Sequence, residues 1–408
     1  MAASGETLPA APSDSLMRLG SVRDVVLARV PIEAHRALAQ TCKALRRLVY
    51  SDDFAKLRKT LGFEEYGLLL LAGRIYEDGG AMVERGKQFV CLTHNLESLG
   101  FAAQTDCPLD LDEFTTALST EGRLFVCGDA NHDRKLLIYD TRKHEWVRDP
   151  RYPASIPVVM YGQCTAFLDN TLVVVAGGTN AVGRPWGFSW DEQLRMWQSL
   201  PPVPTVVAHA SYGVIGSCLF VVGGYSRGGA HAEQYGGVMV PGATMGRMSS
   251  YTARLQIFDM TTRTWSLGPP LDALKDRMEE PTTAAVFHRR LYVFCQRAMD
   301  SCPDAELCAQ PYHVYCFDPN SNSWSELPAL PVGSHSELAA CVHDGRLVVA
   351  GTVNYDPEPF HEINPPATYH YEWDDGAEMW KERPLLIDDG AWPRGKLGSL
   401  VSVPLRIR

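Results

Sequence analysis

The sequence predicts an all-β propeller of six blades behind a small helical domain, and three observations favour this fold. First, a run of about four apolar β-forming residues, followed by small or polar residues, recurs five times, with a tryptophan about twenty or more residues later. Second, the copies follow one another at intervals of roughly 50 residues, which is the period of a stacked β unit. Third, residues 16–62 show the three- and four-residue apolar spacing of helices instead. The first residues after the runs are Gly128, Gly177, Gly223, Cys295 and Gly351, and the tryptophans are Trp146, Trp197, Trp265, Trp324 and Trp380.

The helical segment reads as several short amphipathic helices. Ser21, followed by Asp24 three residues later, is suited to cap the first helix, and Pro31 ends it because proline disfavours a helical residue before it. Ser51 is suited to cap a later helix, because its side chain can accept a hydrogen bond from the first turn. The apolar residues that share a helical face are Val22, Val25, Val26 and Val30 in the first helix, and Leu38, Cys42, Leu45 and Val49 further on.

Each repeat predicts the four strands of one blade. Glycine after the second strand tolerates the close approach and positive φ that the propeller axis requires. The late tryptophan fills the space between neighbouring blades, and an aspartate after the third strand bonds to the backbone of the following turn. The predicted aspartates are Asp140, Asp259 and Asp318. For the repeat near residue 160 the predicted strands are Gln163–Leu168, Thr171–Ala176, Gly187–Trp190 and Leu194–Ser199.

The two ends of the β region predict a sixth, split blade. Leu68–Gly73 matches a second strand, Phe89–Leu92 a third strand, and residues near Phe101–Gln104 a fourth. We expect the missing innermost strand to come from the C-terminal run Gly398–Val403. We therefore assign residues 66–408 to the propeller, with a closing strand near 396–405 that leaves no open sheet edge.

Composition and charge exclude some classes of function. The chain has 408 residues and a net charge of −10, which argues against broad binding to nucleic acid or an anionic membrane. Residues 1–60 carry ten Lys or Arg and six Asp or Glu, so a basic N-terminal part precedes an acidic body. No apolar stretch approaches the length of a membrane span, and residues 1–15 read as a disordered tail. Eleven scattered cysteines indicate reduced thiols, and hence a protein of the cytoplasm, the nucleus or both.

These motifs resemble a known family. The apolar run, the small residues, the aromatic-Asp pair and the tryptophan resemble kelch repeats, and residues 16–62 resemble an F-box in Ser21–Pro31, Cys42–Val49 and Phe54. The combination is similar to the F-box/kelch-repeat proteins that are abundant in plants. The resemblance implies a substrate-recognition subunit of an SCF-type cullin-RING ubiquitin ligase. In such a subunit the F-box docks the Skp adaptor, and through it cullin, and the propeller holds a protein for ubiquitination and proteasomal degradation.

A receptor of this kind makes no covalent bonds and needs no cofactor, so its expected sites are contact surfaces. We expect the substrate to bind the loops that follow the second strands and precede the inner strands. Several arginines there favour an acidic or phosphorylated segment of the target, although about half of these residues are expected only to solvate loops. The predicted adaptor-binding residues are Val26, Leu27, Val30, Pro31, Leu45 and Leu48. The predicted substrate-binding residues are Arg74, Asp129, Tyr161, Asn180, Arg184, Trp186, His209, Tyr225, Arg227, Gln296, Arg297, His335, Asn354, Tyr355 and Arg394.

Other readings stay open at this point. A kelch scaffold without ligase function is the first alternative, and a metal-dependent propeller enzyme is a less favoured one. The glycine-rich stretch 178–185 lacks the lysine of a phosphate loop, and the isolated pairs at His132 and His361 suggest solvated loops, so we predict no metal site. The insertion Tyr225–Ser250 is expected to form a mobile loop, with an ordered binding loop as the alternative.

Overall fold

The structure is a computed structural model of the chain. It contains two compact units, and the main boundary between them lies between Tyr66 and Gly67. Among the described residues, no helix is long and apolar enough to cross a membrane. The structure describes residues 22–30, 32–49, 51–61, 63, 66–72, 89–93, 114–119, 122–128, 135–140, 145–157, 162–175, 187–227, 238–239, 249–276, 279–297, 311–333, 336–355, 362–383 and 397–404.

The helical unit is built on a small apolar core. Buried Ala28, Phe54 and Leu57 form this core, and Leu48 is among the partly buried residues that pack against it. Ser51 caps the last helix, because its Oγ accepts a hydrogen bond from the Phe54 N–H at 3.2 Å, which confirms the predicted cap. The helices are α1 (Val22–Ala28), α2 (Ile32–Thr41), α3 (Lys43–Val49) and α4 (Asp52–Thr60).

A buried arginine joins three of these helices. Arg58 of α4 donates from Nη1 to the carbonyl of Ala28 at 2.8 Å and to the carbonyl of Val30, at the C-terminal end of α1. The ring of His35 in α2 lies against the same group, with Nε2 3.1 Å from Arg58 Nη1 and 2.9 Å from the Val30 carbonyl. Arg58 thus satisfies the terminal carbonyls of α1, which have no partner within the helix.

The second unit contains five antiparallel sheets of four strands each, which we number as blades 1 to 5. Blade 1 contains β3 (Phe114–Leu118), β4 (Arg123–Gly128), β5 (Leu136–Asp140) and β6 (Glu145–Val147). Blade 2 contains β7 (Cys164–Leu168), β8 (Thr171–Val175), β9 (Gly187–Asp191) and β10 (Met196–Ser199). Blade 3 contains β11 (Ser211–Ile215), β12 (Cys218–Val222), β16 (Leu255–Asp259) and β17 (Thr264–Leu267). Blade 4 contains β18 (Glu279–Phe287), β19 (Arg290–Arg297), β20 (Pro311–Asp318) and β21 (Ser323–Gly333). Blade 5 contains β22 (Ser336–His343), β23 (Arg346–Tyr355), β24 (Glu362–Asp374) and β25 (Met379–Glu382).

The inner strands of successive blades are neighbours, in the order β3, β7, β11, β18 and β22. Buried apolar clusters fill the seams between blades 1 and 2, 2 and 3, 3 and 4, and 4 and 5. This arrangement confirms the predicted β-propeller. A short helix, α5 (Ala273–Asp276), lies between blades 3 and 4 in the chain.

The number of blades differs from the prediction, because the described residues contain five complete blades and not six. A further sheet of three strands has the order β2-β1-β26 and joins the first strand of the chain to the last. The fourth strand predicted near Phe101–Gln104 falls outside the described residues. The three strands are β1 (Tyr66–Ala72), β2 (Phe89–Thr93) and β26 (Leu397–Pro404).

The insertion in blade 3 lies only partly within the described residues, so its mobility stays a prediction. Its described residues form a small sheet of three strands, in which β15 lies between β13 and β14. Residues 228–237 and 240–248 of the insertion fall outside the described part of the chain. The strands are β13 (Tyr225–Arg227), β14 (Val238–Met239) and β15 (Ser249–Tyr251).

The repeated tryptophans connect neighbouring blades, as predicted. In four of the five repeats the indole N–H donates to a backbone carbonyl near the end of the preceding blade, at 3.0 to 3.1 Å. In three of the four bonds the acceptor is a proline that lies four residues after the tryptophan of the preceding blade. The sequence shows this spacing, but only the structure shows that the proline carbonyl accepts the bond. The pairs are Trp197 with Ser155, Trp265 with Pro201, Trp324 with Pro269, and Trp380 with Pro328.

The aspartates after the third strands form the predicted turns. Asp259 Oδ1 accepts from the Thr261 N–H at 2.8 Å, and Asp318 Oδ1 accepts from the Asn320 N–H at 2.8 Å. These backbone hydrogen bonds lower the pKa of both carboxyls. Asp191 and Asp374 make the same contact in blades 2 and 5. The turn after Asp140 lies outside the described residues.

Candidate partner-binding surfaces

The strand register defines two faces of the propeller. In blade 3 the first residue of the inner strand, Ser211, pairs with Val222 at the end of the second strand, and in blade 2 Cys164 pairs with Val175 in the same way. The starts of inner strands and the ends of second strands therefore share one side, which we call the loop face. The hairpin turns that join strands one to two and three to four lie on the opposite side, which we call the turn face.

The predicted substrate-binding residues that the structure describes belong to segments of the loop face. Six lie on strands of the described chain, namely Tyr225 and Arg227 in β13, Gln296 and Arg297 in β19, and Asn354 and Tyr355 in β23. The structure gives side-chain surroundings for His209 and Gln296. The other predicted residues lie outside the described part of the chain; they are Arg74, Asp129, Tyr161, Asn180, Arg184, Trp186, His335 and Arg394.

His209 lies two residues before the inner strand of blade 3, in a left-handed backbone conformation with φ 53°. Its N–H donates to the Gly162 carbonyl of blade 2 at 3.0 Å. A Cβ atom on Gly162 would lie 2.9 Å from two ring carbons of His209, so the imidazole packs directly on the glycine backbone. Neighbouring blades thus fix both the backbone and the ring of His209.

The segment before His209 is held against a second glycine. A Cβ atom on Gly224 would lie 2.7 Å from the carbonyl oxygen of Ala208 and 3.1 Å from Cβ of Val207. Gly223 and Gly224 have φ values of 68° and 85°, so both the close approach and the positive φ predicted after a second strand are present here. The connection into blade 3 can approach the end of β12 only because Gly224 lacks a side chain.

Gln296 is held at the corresponding place in blade 4. Its Oε1 accepts a hydrogen bond from the Tyr312 hydroxyl at 3.2 Å, and the Tyr312 side chain is fully buried. Gln296 itself is partly exposed. The buried Tyr312 hydroxyl therefore holds the Gln296 carboxamide in place.

Sequence reasoning missed the polar residues that position this face. Gln256 is completely buried, and it accepts from the Thr205 N–H at 2.7 Å and donates to the Thr205 carbonyl at 3.0 Å. Arg254 lies alongside, with Nη1 3.5 Å from Thr205 Oγ1. Gln163 similarly donates to the Cys127 carbonyl at 3.2 Å and ties blade 2 to blade 1. Each glutamine occupies a position in its segment where an apolar core residue is expected. That position is the one feature of the sequence that could have identified the glutamine.

The predicted adaptor-binding residues separate into two groups. Val26 is 57% exposed, whereas Leu27 and Leu48 pack against the core of the helical unit. Val30 and Leu45 are partly exposed, and Pro31 lies outside the described residues. Val26 is thus a large apolar side chain whose removal leaves the helical core intact.

The surface of the helical unit is basic. The exposed side chains include Lys43, Arg46 and Arg47 of α3, and Lys56 and Lys59 of α4. The residues of α3 follow a three- and four-residue spacing, so they lie on one side of that helix. This side can attract an acidic protein surface, with a strength that falls as ionic strength rises.

The cysteines with shifted pKa values are unreactive thiols. Burial raises the pKa of Cys127 to about 12, the pKa of Cys316 to about 11 and the pKa of Cys341 to about 12, so all three stay protonated near neutral pH. Within the described ranges no group of three or more His, Cys, Asp or Glu residues is arranged to hold a metal ion.

A search with models of known protein families and a search of curated proteins find no match for this chain. The resemblance to F-box/kelch-repeat proteins therefore remains a proposal.

Proposed function

We propose that this chain is the substrate-recognition subunit of an SCF-type cullin-RING ubiquitin ligase. The observation that carries the proposal is the pairing of a small basic helical unit, which exposes Val26, with a propeller whose connecting segments are rigidly positioned. The motif resemblance of the helical segment to an F-box, and of the repeats to kelch, supports the same function. The three-stranded sheet is in this proposal the sixth blade.

The proposed mechanism is positioning without covalent chemistry. The helical unit binds a Skp-type adaptor, and through it cullin, while the propeller holds a target protein in the cytoplasm or nucleus. Tethering raises the effective concentration of target lysines near the ubiquitin-carrying enzyme. No cofactor takes part, because the receptor supplies only binding energy and geometry.

We expect Val26→Asp to weaken adaptor binding by about 2 kcal/mol, since a charge would replace an apolar contact at the centre of the interface. The measurement is capture of the full-length protein by a purified Skp-type adaptor at micromolar concentration. Leu194→Asp is the matched control, because Leu194 is a 62% exposed apolar residue of the propeller. Both variants should melt like the wild type.

Failure of the wild-type protein to bind the adaptor would rule out the ligase function and favour a kelch scaffold. If Val26→Asp is captured as well as the wild type, the docking surface lies elsewhere. Leu27→Glu would be a poor test of the same surface, because Leu27 packs on the helical core and its replacement would unfold the unit.

Replacing Arg184, Arg227 and Arg297 together by alanine should weaken target capture while adaptor binding and folding stay unchanged. Arg227 and Arg297 lie on segments of the loop face, and the sequence predicts the same for Arg184. Arginine forms strong paired hydrogen bonds to carboxylates and phosphates. Each important contact should contribute on the order of 2 kcal/mol. If the triple variant supports ubiquitination of a target as well as the wild type does, the target binds the turn face or the rim instead.

A further inference from the structure

Helix α3 carries a basic side that is turned away from the core of the helical unit. Lys43, Arg46 and Arg47 are exposed and lie three and four residues apart, which places them within about 100° of one another around the helix. On the other side of the helix Val49 is buried, and Leu48 packs against the apolar core. We call the three charged residues the basic side of α3.

Ion pairing within the protein does not account for these charges. Within the part of the chain that the structure describes, none of the three side chains forms an ion pair. Arginines of the propeller do pair with carboxylates, for example Arg346 with Glu372 at 3.1 Å and Arg290 with Asp318 at 3.1 Å. The basic side of α3 therefore keeps its charge, which its own unit does not neutralise by direct contact.

Lys43 is also placed against the dipole of its own helix. The N-terminal end of a helix favours acidic side chains, whereas the C-terminal end favours basic ones. Arg46 and Arg47 lie in the last turn of α3 and suit the dipole, but Lys43 is the first residue of the helix, and the first turn contains no acidic residue. Helix stability thus accounts for the two arginines and does not account for Lys43.

The charges around α3 leave the helical unit basic. The acidic residues of the neighbouring helices are Glu33 in the first turn of α2, and Asp52 and Asp53 in the first turn of α4. Residues 22–63 contain nine Lys or Arg and four Asp or Glu, and one of the four, Asp24, is buried. The whole chain has a net charge of −10, so the helical unit is the part that favours an acidic partner.

We propose that the basic side of α3 binds an acidic segment of the adaptor and speeds the association of the two proteins. The proposal rests on the proposed function, because it names the chemistry of the surface that docks the helical unit. Exposed charges beside an interface attract an oppositely charged partner before contact, so they act mainly on the association rate. The apolar contact of Val26 forms only in the complex, so its loss acts mainly on the dissociation rate.

The test measures association and dissociation rates of the full-length protein with a purified Skp-type adaptor, at ionic strengths below and above about 0.15 M. We expect the wild-type association rate to fall as salt increases, while the dissociation rate stays nearly constant. A short peptide of Asp and Glu should slow association, and a matched peptide of Asn and Gln should not. Val26→Asp should instead raise the dissociation rate.

The deciding variant is Lys43→Glu, because it reverses one charge of the basic side and places an acidic residue where the helix dipole favours it. The helical unit should resist protease at least as well as in the wild type. The adaptor should associate about threefold more slowly. Replacement of Lys43, Arg46 and Arg47 together by glutamine should slow association about tenfold and reduce its dependence on salt.

Arg195→Glu is the matched control, because it changes the net charge by the same amount on the propeller. Arg195 is exposed and has φ 52° in the turn before Trp197. Glu378 holds the equivalent position before Trp380, with φ 48°, so this turn tolerates glutamate. The control variant should associate with the adaptor as fast as the wild type.

An association rate that does not depend on salt, or that Lys43→Glu leaves unchanged, would overturn the proposal. Equal slowing by Arg195→Glu would attribute the effect to net charge, and equal competition by the two peptides would exclude an acidic partner segment. Loss of protease resistance in both Lys43→Glu and the glutamine variant would show that the basic side maintains the fold instead. With normal adaptor capture, each of these results would contradict this proposal alone, whereas absence of capture by the wild type would contradict the ligase function as well.

Discussion

Deletion of residues 397–408 is expected to abolish cooperative unfolding of the propeller and to cause aggregation. The deletion removes β26, which lies next to β1 and joins the two ends of the β region in one sheet. Ser402 of this strand also contacts blade 5, since its Oγ lies 3.1 Å from Nδ1 of buried His343 and its N–H donates to the Cys341 thiol. Each polar group left buried without its partner costs about 1–3 kcal/mol, and domains are typically stable by only about 5–15 kcal/mol.

Thermal melting and light scattering measure this effect. The control is deletion of residues 405–408 alone, which leaves β26 whole and should not change the melting temperature. The exposed edge of β1 should make the longer deletion aggregate, because an unpaired strand edge is a template for further pairing. A monomeric 397–408 deletion that melts like the wild type would show that the terminal strand does not stabilise the propeller.

Arg58→Met is expected to unfold the helical unit and leave the propeller intact. The guanidinium bonds to the carbonyls of Ala28 and Val30, and methionine would leave both acceptors without it in a largely buried place. Each lost contact should cost about 1–3 kcal/mol of stability. The summed loss approaches the few kcal/mol of folding free energy that a core of this size supplies. Adaptor capture should disappear with the fold of this unit.

Limited proteolysis of the full-length protein, followed at the helical unit and the propeller separately, measures the change. Lys59→Met is the matched control, because the adjacent Lys59 side chain is exposed and should tolerate the same replacement. A helical unit in Arg58→Met that resists protease as well as the wild type would mean that Arg58 is dispensable for folding.

The blades were predictable because each carries several independent signals. In blade 2, the predicted strand Gln163–Leu168 and the observed strand Cys164–Leu168 differ by one residue, since an apolar run bounded by turn residues leaves little freedom. The turns at Asp259 and Asp318 were equally predictable from the sequence, because an aspartate after a strand accepts hydrogen bonds from the backbone of the following turn.

The surfaces were less predictable, because they depend on tertiary contacts. Val26 and Leu27 are adjacent apolar residues on a helix of seven residues, and periodicity alone does not decide which one faces the core. Arg58 reads as a surface charge in the sequence, although its side chain is buried. The left-handed conformation of His209 depends on the contact with Gly162, a residue of the preceding blade, so no local pattern reveals it.

The most direct test of the receptor function compares protein abundance in cells that lack this chain, in cells that carry the wild type, and in cells that carry Val26→Asp. The proposed function predicts a small set of proteins that accumulate without the receptor, stay high with Val26→Asp and return to normal with the wild type. Purified wild-type protein should capture members of that set. If no protein accumulates, or if Val26→Asp restores abundance as fully as the wild type while its adaptor binding is lost, the chain does not act as a ligase receptor.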